Sequence, residues 1–208
     1  MNAVTGFEHV PTTTLADVVG RAQVMDIGLR PLWSPPPRVA GPAFTVRCAP
    51  GDNLMLHAAI YRAAPGSVLV VETGGDVDYA LAGGNVCAIA QRRGIVALVA
   101  DGVIRDLAEV RELGFPVFAR GIIPVPGVKK AVEPLNTPVR CGGVTVHPGD
   151  IVVADEEGVA VTPGARQEEV LRAARAALAK EADETLDAWE AAHRARVDRL
   201  LADNGFED

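Results

Sequence analysis

The chain has 208 residues, 49% hydrophobic and 23% charged, which is enough for a self-supporting core and excludes disorder as the main state. A formal net charge of −7, with no local basic patch, argues against a surface built for nucleic acid. Three cysteines, Cys48, Cys87 and Cys141, exclude a full disulfide framework and lack zinc spacing, so a reducing cytoplasm is the expected location.

No apolar run approaches the roughly 18 residues needed to span a bilayer. Met1 to Val10 has neither the basic start nor the apolar stretch of a secretory signal. Thr12-Thr13-Thr14 ahead of Leu15–Val19 reads as an N-cap and a short helix. The proline-rich stretch from Pro31 to Pro42 reads as an extended connector. Phe44–Cys48 alternates as a strand, Asn53–Ala63 has helical spacing, and Ser67–Val71 is a continuous apolar run, the mark of a buried strand.

A Gly-rich loop, Glu72–Asp76, follows that strand. The next helix is read over Gly83 to Arg93 and stops at Gly94. Ile95–Ala100 is the second buried strand, ending in a loop from Asp101 to Asp106. Leu107–Leu113 is a short helix stopped by Gly114, and Pro116–Ala119 is a third strand. This alternation predicts βα units with parallel pairing. Short strands at Val139–Val146, Asp150–Ala154 and Gly158–Thr162, joined by Pro148-Gly149-Asp150 and Asp155–Gly158, predict an antiparallel or barrel-like part. From Arg166 to about Ala202 the chain reads as one long helix with a buried stripe of Val170, Leu171, Ala174, Leu178 and Leu186. The fold class is therefore α/β: a single catalytic domain over 1–163 and a C-terminal helical extension over 164–208, expected at a subunit interface.

Two places can carry chemistry. Arg105 and Asp106 follow a buried strand, where open α/β sheets place their ligands. Asp106 is either the N-cap of the helix it opens or the holder of a hard cation, with Arg105 facing an anionic substrate. Gly83-Gly84-Asn85-Val86 opens a helix, where backbone N–H groups bind carboxylate or phosphate; the plainer reading is a tight turn. A right-handed βαβ crossover brings both places to one sheet edge. Neither motif holds a lysine, so a Schiff-base route is disfavoured. His57, His147 and Cys87 read as structural, and Trp33 and Trp189 as packing or interface residues.

The segments AGGNVCAIAQRRGIVALVADGVIRD (82–106), FPVFARG (115–121) and PVRCGGVTVHPGDIVVADEEGVAVTP (138–163), with GDN at 51–53, resemble one family. It is the ribonuclease-activity-regulator-A-like family, which includes the class II 4-hydroxy-4-methyl-2-oxoglutarate / 4-carboxy-4-hydroxy-2-oxoadipate aldolases. The resemblance implies a compact fold related to swivelling β/β/α domains, assembled as homotrimers or dimers of trimers. It implies a Mg²⁺ or Mn²⁺ ion ligated by Asp106, Arg105 on the oxygen of a 2-oxo acid, and the amides of Gly83, Gly84, Asn85 and Val86 on its carboxylate. It also implies an acid from a neighbour's tail helix, for which Glu181 is the best match, with Asp183 and Glu184 close by. Many family aldolases carry Glu or Asp immediately after the first glycine of the anion loop. Here that position is Gly84, so the corresponding acid is either missing or comes from elsewhere, such as Asp101 or Asp76. The implied activity is cleavage of a 4-hydroxy-2-oxo di- or tricarboxylic acid to pyruvate, with oxaloacetate decarboxylation alongside. A protein-binding regulator of an RNA-degrading enzyme and a related oxo-acid lyase or hydratase are the alternatives.

Overall fold

The continuous apolar runs become strands because both of their faces are covered. In the computed structural model, which describes residues 5–206, Val68–Val71 and Val117–Ala119 are all no more than 1% exposed. Residues 1–4 and 207–208 lie outside the described residues, so the reading of Met1–Val10 falls partly there. The elements are α1 (Thr12–Val19), β1 (Arg30–Pro31), β2 (Val39–Arg47), α2 (Leu54–Ile60), β3 (Val68–Glu72), α3 (Gly84–Arg92), β4 (Ala97–Ile104) and α4 (Leu107–Leu113). They continue with β5 (Val117–Ile122), β6 (Val139–Cys141), β7 (Val144–Val146), β8 (Ile151–Asp155), β9 (Gly158–Thr162), α5 (Gln167–Asp183) and α6 (Leu186–Asp203).

Seven strands form one sheet in the order β1-β5-β4-β3-β2-β8-β9, and β6–β7 is a separate hairpin. The steps β2–β3, β3–β4 and β4–β5 are parallel, as the βα alternation predicts; β1–β5, β2–β8 and β8–β9 are antiparallel. The strand β2 joins the two halves. Its residues 43–47 pair with β3 and its residues 39–42 pair with β8. Strand alternation then divides the core. Val46, Leu69, Val71, Leu98 and Ala100 pack with Leu56 of α2, Cys87 of α3 and Val110 of α4. Val68, Val70, Val99 and Phe118 pack with Val139, Cys141, Val144, Val152 and Val161.

Several local readings are corrected. β2 begins inside the proline-rich stretch. The span 139–146 is a hairpin turning at Gly142-Gly143, both with positive φ. α1 starts at Thr12, whose hydroxyl donates to Asp155 at 2.5 Å and caps nothing. β4 continues past Ala100 to Ile104. A bulge sets its residues 101–102 against residue 120 alone and pairs Val103 with Gly121 and Ile104 with Ile122. The helical tail is divided, because the Thr185 hydroxyl accepts from Ala188 N at 3.2 Å and starts α6 afresh. Of the predicted stripe, Val170 and Ala174 are buried, Leu171 and Leu178 are half-buried, and Leu186 is 76% exposed. By its contacts the chain divides into a unit ending at Ala174 and a second starting at Arg175.

Candidate active site

The segment before α3 runs beside the end of β4: Leu81 N donates to Val103 O and Arg105 N to Ala82 O, each at 2.9 Å. These two bonds bring Gly83 and Gly84 against Arg105 and Asp106, so the convergence expected from the topology is present. Asp106 sits at φ 58°, ψ 40°, left-handed backbone that non-glycine residues adopt at a cost. It precedes α4 as its N-cap residue, yet its side chain caps nothing on that helix. The carboxylate is turned to α3 instead, and its Oδ2 accepts the Gly84 N–H at 3.1 Å. Arg105 Nε lies 3.6 Å from the same oxygen. The plain N-cap reading of Asp106 is thereby set aside.

Close approach explains the two glycines. A Cβ at Gly83 would stand 2.3 Å from Asp106 Oδ2. At Gly84 it would stand 1.8 Å from Glu109 Oε2, so the volume beside residue 84 is taken by a carboxylate from α4. Asn85 is exposed at the rim, whereas Val86 is half-buried and packs on the helix-side core. Gly83 itself provides no side-chain cap, so the first N–H groups of α3 find no partner within the helix.

A cavity of about 310 Å³ opens at this point, lined by Arg105, Asp106, Leu107, Ile122, Ile123 and Pro124. A second of similar size is lined by Gly84, Asn85, Ala88, Glu109, Glu112 and Leu113. Glu109 is a site residue that sequence reasoning missed. Glu109 stands three residues after Asp106, a spacing that shares a helix face.

Other candidates are placed elsewhere. Asp101 pairs with Arg120 and accepts from Gly142 N at 2.9 Å, on the hairpin side of the sheet. Asp76 accepts from Gly51 N and, at 2.9 Å, from Asp78 N. Neither carboxylate is bonded to Gly84 or Asp106. Glu181 is exposed on the last turn of α5, in the second unit. His57 is half-buried on α2, its pKa lowered by burial and then by Lys129. Cys87 is buried within α3, and burial, reinforced by the Asp106 charge, pushes its thiol up to about 12, so it packs and is no nucleophile.

Among the described residues no three His, Cys, Asp or Glu side chains gather as a metal cluster, and no helix is long and apolar enough to cross a membrane. The chain's residues 12–161 match the model of a family described as RraA-like, Aldolase/RraA. A relative from Halalkalibacterium halodurans, provisionally named a 4-hydroxy-4-methyl-2-oxoglutarate aldolase, is 38% identical over 96% of this chain and 90% of its own. Among solved structures, Streptomyces coelicolor RraAS2, titled an unusual member of the RNase ES inhibitor RraA family, has a TM-score of 0.73 at 29% identity. That match covers 93% of this chain and 97% of RraAS2. The RNA-processing inhibitor RraA from Thermus thermophilis has a TM-score of 0.67 at 29% identity, covering 74% of this chain and 92% of that one.

Proposed function

The chain belongs to the RraA-like family, and from that membership we propose that it is a divalent-metal-dependent lyase releasing pyruvate from a 4-hydroxy-2-oxo acid. The observation that carries this reading is the turned carboxylate of Asp106. A pure binding surface has no need of an aspartate in left-handed backbone, held by Gly84 N–H and faced by a guanidinium. Asp106 Oδ2 is engaged, while Oδ1 accepts no hydrogen bond from the described residues. One carboxylate with a free oxygen, 37% exposed, suits a hard cation such as Mg²⁺ or Mn²⁺ that keeps waters and takes substrate oxygens. Bound there, the ion would act as a Lewis acid towards the charge that develops on the substrate's 2-keto oxygen.

The protein's own residues do the rest. The Gly84 N–H is spent on fixing Asp106, which leaves the Asn85 and Val86 N–H groups at the start of α3 for the substrate's C1 carboxylate. Arg105 places a fixed positive charge at the C2 oxygen. The C4 hydroxyl loses its proton to water. The C3–C4 bond then breaks, the C4 oxygen becomes a carbonyl, and the bonding pair forms the pyruvate enolate, which takes a proton at C3. Oxaloacetate gives the same enolate by losing carbon dioxide, so its decarboxylation accompanies the activity.

The same reading has the chain cytoplasmic and assembled as homotrimers or dimers of trimers, with Glu181 of one copy approaching another copy's site. Leu186 at 76% and Trp189 at 48% exposure give the tail apolar surface for such contacts. Two of the solved relatives, the RNA-processing inhibitor RraA from Thermus thermophilis and Streptomyces coelicolor RraAS2, favour a second reading, a regulator that binds an RNA-degrading enzyme without chemistry.

The test uses metal-stripped protein incubated with oxaloacetate or 4-hydroxy-4-methyl-2-oxoglutarate, then Mg²⁺ or Mn²⁺, with pyruvate followed by a lactate dehydrogenase couple. Metal-dependent pyruvate is expected, and Arg105→Ala and Asp106→Ala should each lose about 10²–10³-fold, the scale of a single oxyanion donor. Near-normal release by either variant removes the site assignment. No pyruvate from folded wild-type protein leaves the regulator reading.

A further inference from the structure

Asp106 offers a cation an oxygen, but the turn around it offers no net attraction. Its one negative charge is answered by Arg105, whose Nε stands 3.6 Å from Oδ2. Through the Gly84 N–H the same carboxylate also meets the start of α3, the positive end of a helix dipole, equivalent to roughly half a charge. The local sum is zero or slightly positive. A divalent ion leaves water only where fixed negative charge offsets its dehydration. Before a substrate brings its own charge, a second carboxylate is needed beside this turn.

Glu109 is placed to be that carboxylate. It stands one turn after Asp106, and its carboxylate occupies the space that a side chain at position 84 would fill. Gly84 is therefore touched by two acids. Asp106 accepts its N–H at 3.1 Å, and Glu109 takes the place of its missing side chain. Glu109 lines the second cavity together with Gly84 and Asn85, at the start of α3. It is exposed, and among the described residues it makes no hydrogen bond or ion pair, so its charge is unanswered. Asp101, by contrast, is paired with Arg120. Glu112 lines the same cavity as Glu109, but one turn further along α4 and beside Leu113.

We propose that Glu109 is a positioning residue of the metal site: its carboxylate accepts hydrogen bonds from the waters of an ion held by Asp106 and supplies the negative charge that Arg105 cancels. The inference rests on the metal-dependent reading above and adds a residue to it. Glu109 acts at one remove, through water, and loss of such a group costs about 10–100-fold in metal affinity. The same arrangement accounts for glycine at position 84, since any side chain there would displace the Glu109 carboxylate.

The experiment titrates metal-stripped protein with Mn²⁺, without substrate, and reads the free ion from its electron paramagnetic resonance signal. Glu109→Gln, at an exposed position, should raise the Kd about 10–100-fold. Glu109→Asp keeps the charge on a shorter arm and should raise it less. Glu112→Gln removes the same charge from the same helix and cavity, and should change the Kd by no more than about twofold. Circular dichroism identifies the folded variants, and Glu109→Asp against Glu112→Gln carries the comparison if Glu109→Gln does not fold. Wild-type binding with an unchanged Kd in Glu109→Gln overturns the role of Glu109 and leaves the ion to Asp106. Equal losses in Glu109→Gln and Glu112→Gln overturn it as well, because the effect then belongs to the charge of α4 and not to a place beside Gly84. Wild-type protein that binds no Mn²⁺ removes the metal from the proposed function and this inference with it.

Discussion

Asp106 concentrates the conflict between folding and chemistry in one residue. An L-residue in left-handed backbone costs roughly 1 kcal/mol, least for Asp and Asn, and nothing on α4 repays it, since the side chain makes no cap there. Glycine adopts the same backbone freely. Asp106→Gly should therefore unfold at a denaturant concentration equal to or above that of the wild-type protein while losing pyruvate release. A drop in the urea midpoint would mean that the Gly84 contact and the Arg105 pair stabilise the fold, and that the residue is structural. Arg105, Asp106 and the glycines were legible in the sequence because strand ends and helix starts are local signals. Glu109 was not, because its carboxylate reaches the site only through the space that Gly84 leaves. That juxtaposition exists only once α3 and α4 are packed.

At the level of elements, the same division between local and tertiary signals recurs in β4. Asp101-Gly102 looks like the start of a loop, so the sequence places the end of the strand at Ala100. The structure keeps the strand going because Arg120 neutralises Asp101 across the bulge and Gly102 lets the backbone approach Leu81 and Thr73, each 3.0 Å from where a Cβ would be. The division of the tail had a local signal in Thr185, masked by the uniform helix-forming composition around it. Arg120 ties β5 to Asp26 and to Asp101, and Asp101 in turn accepts from Gly142 in the β6–β7 hairpin. The guanidinium bonds hold Asp26 below its usual carboxylate range, and the two aspartates raise the arginine further. Arg120→Ala would leave the Asp101 carboxylate, only 13% exposed, without its cation. The expected cost is about 1–3 kcal/mol, below that of a fully buried pair because Arg120 and Asp26 are partly in solvent. Urea unfolding at pH 7 measures it; a cost under about 0.5 kcal/mol would make the cluster a surface ornament.

Across the whole molecule, three carboxylates that fasten distant segments are each shifted in the same direction. Burial raises Asp155, but the Thr12 hydroxyl and N–H, Arg38 and Glu157 N–H outweigh it and leave it lowered. Burial likewise raises Asp52, and the N–H groups of Leu54, Ala131 and Lys130, with the Lys129 charge, bring it below its usual carboxylate range. Asp26 is lowered by Arg120. These three join α1 to the end of β8, the 128–131 segment to the start of α2, and the loop before β1 to β5. A carboxylate depressed in the folded state adds stability that is fully present above its unfolded pKa, near 3.9, and is lost as pH falls through the folded value. Below pH 4 the unfolded chain binds more protons than the native one, so unfolding free energy falls with pH. The urea midpoint should hold steady from pH 7 to about pH 5 and decline steeply below about pH 4. In Asp155→Asn the protein should start less stable at pH 7 and lose less on acidification, because one of the three linked protons is gone. A variant with the wild-type acid slope would assign the acid transition to other carboxylates and leave Asp155 a hydrogen-bond acceptor whose charge is immaterial.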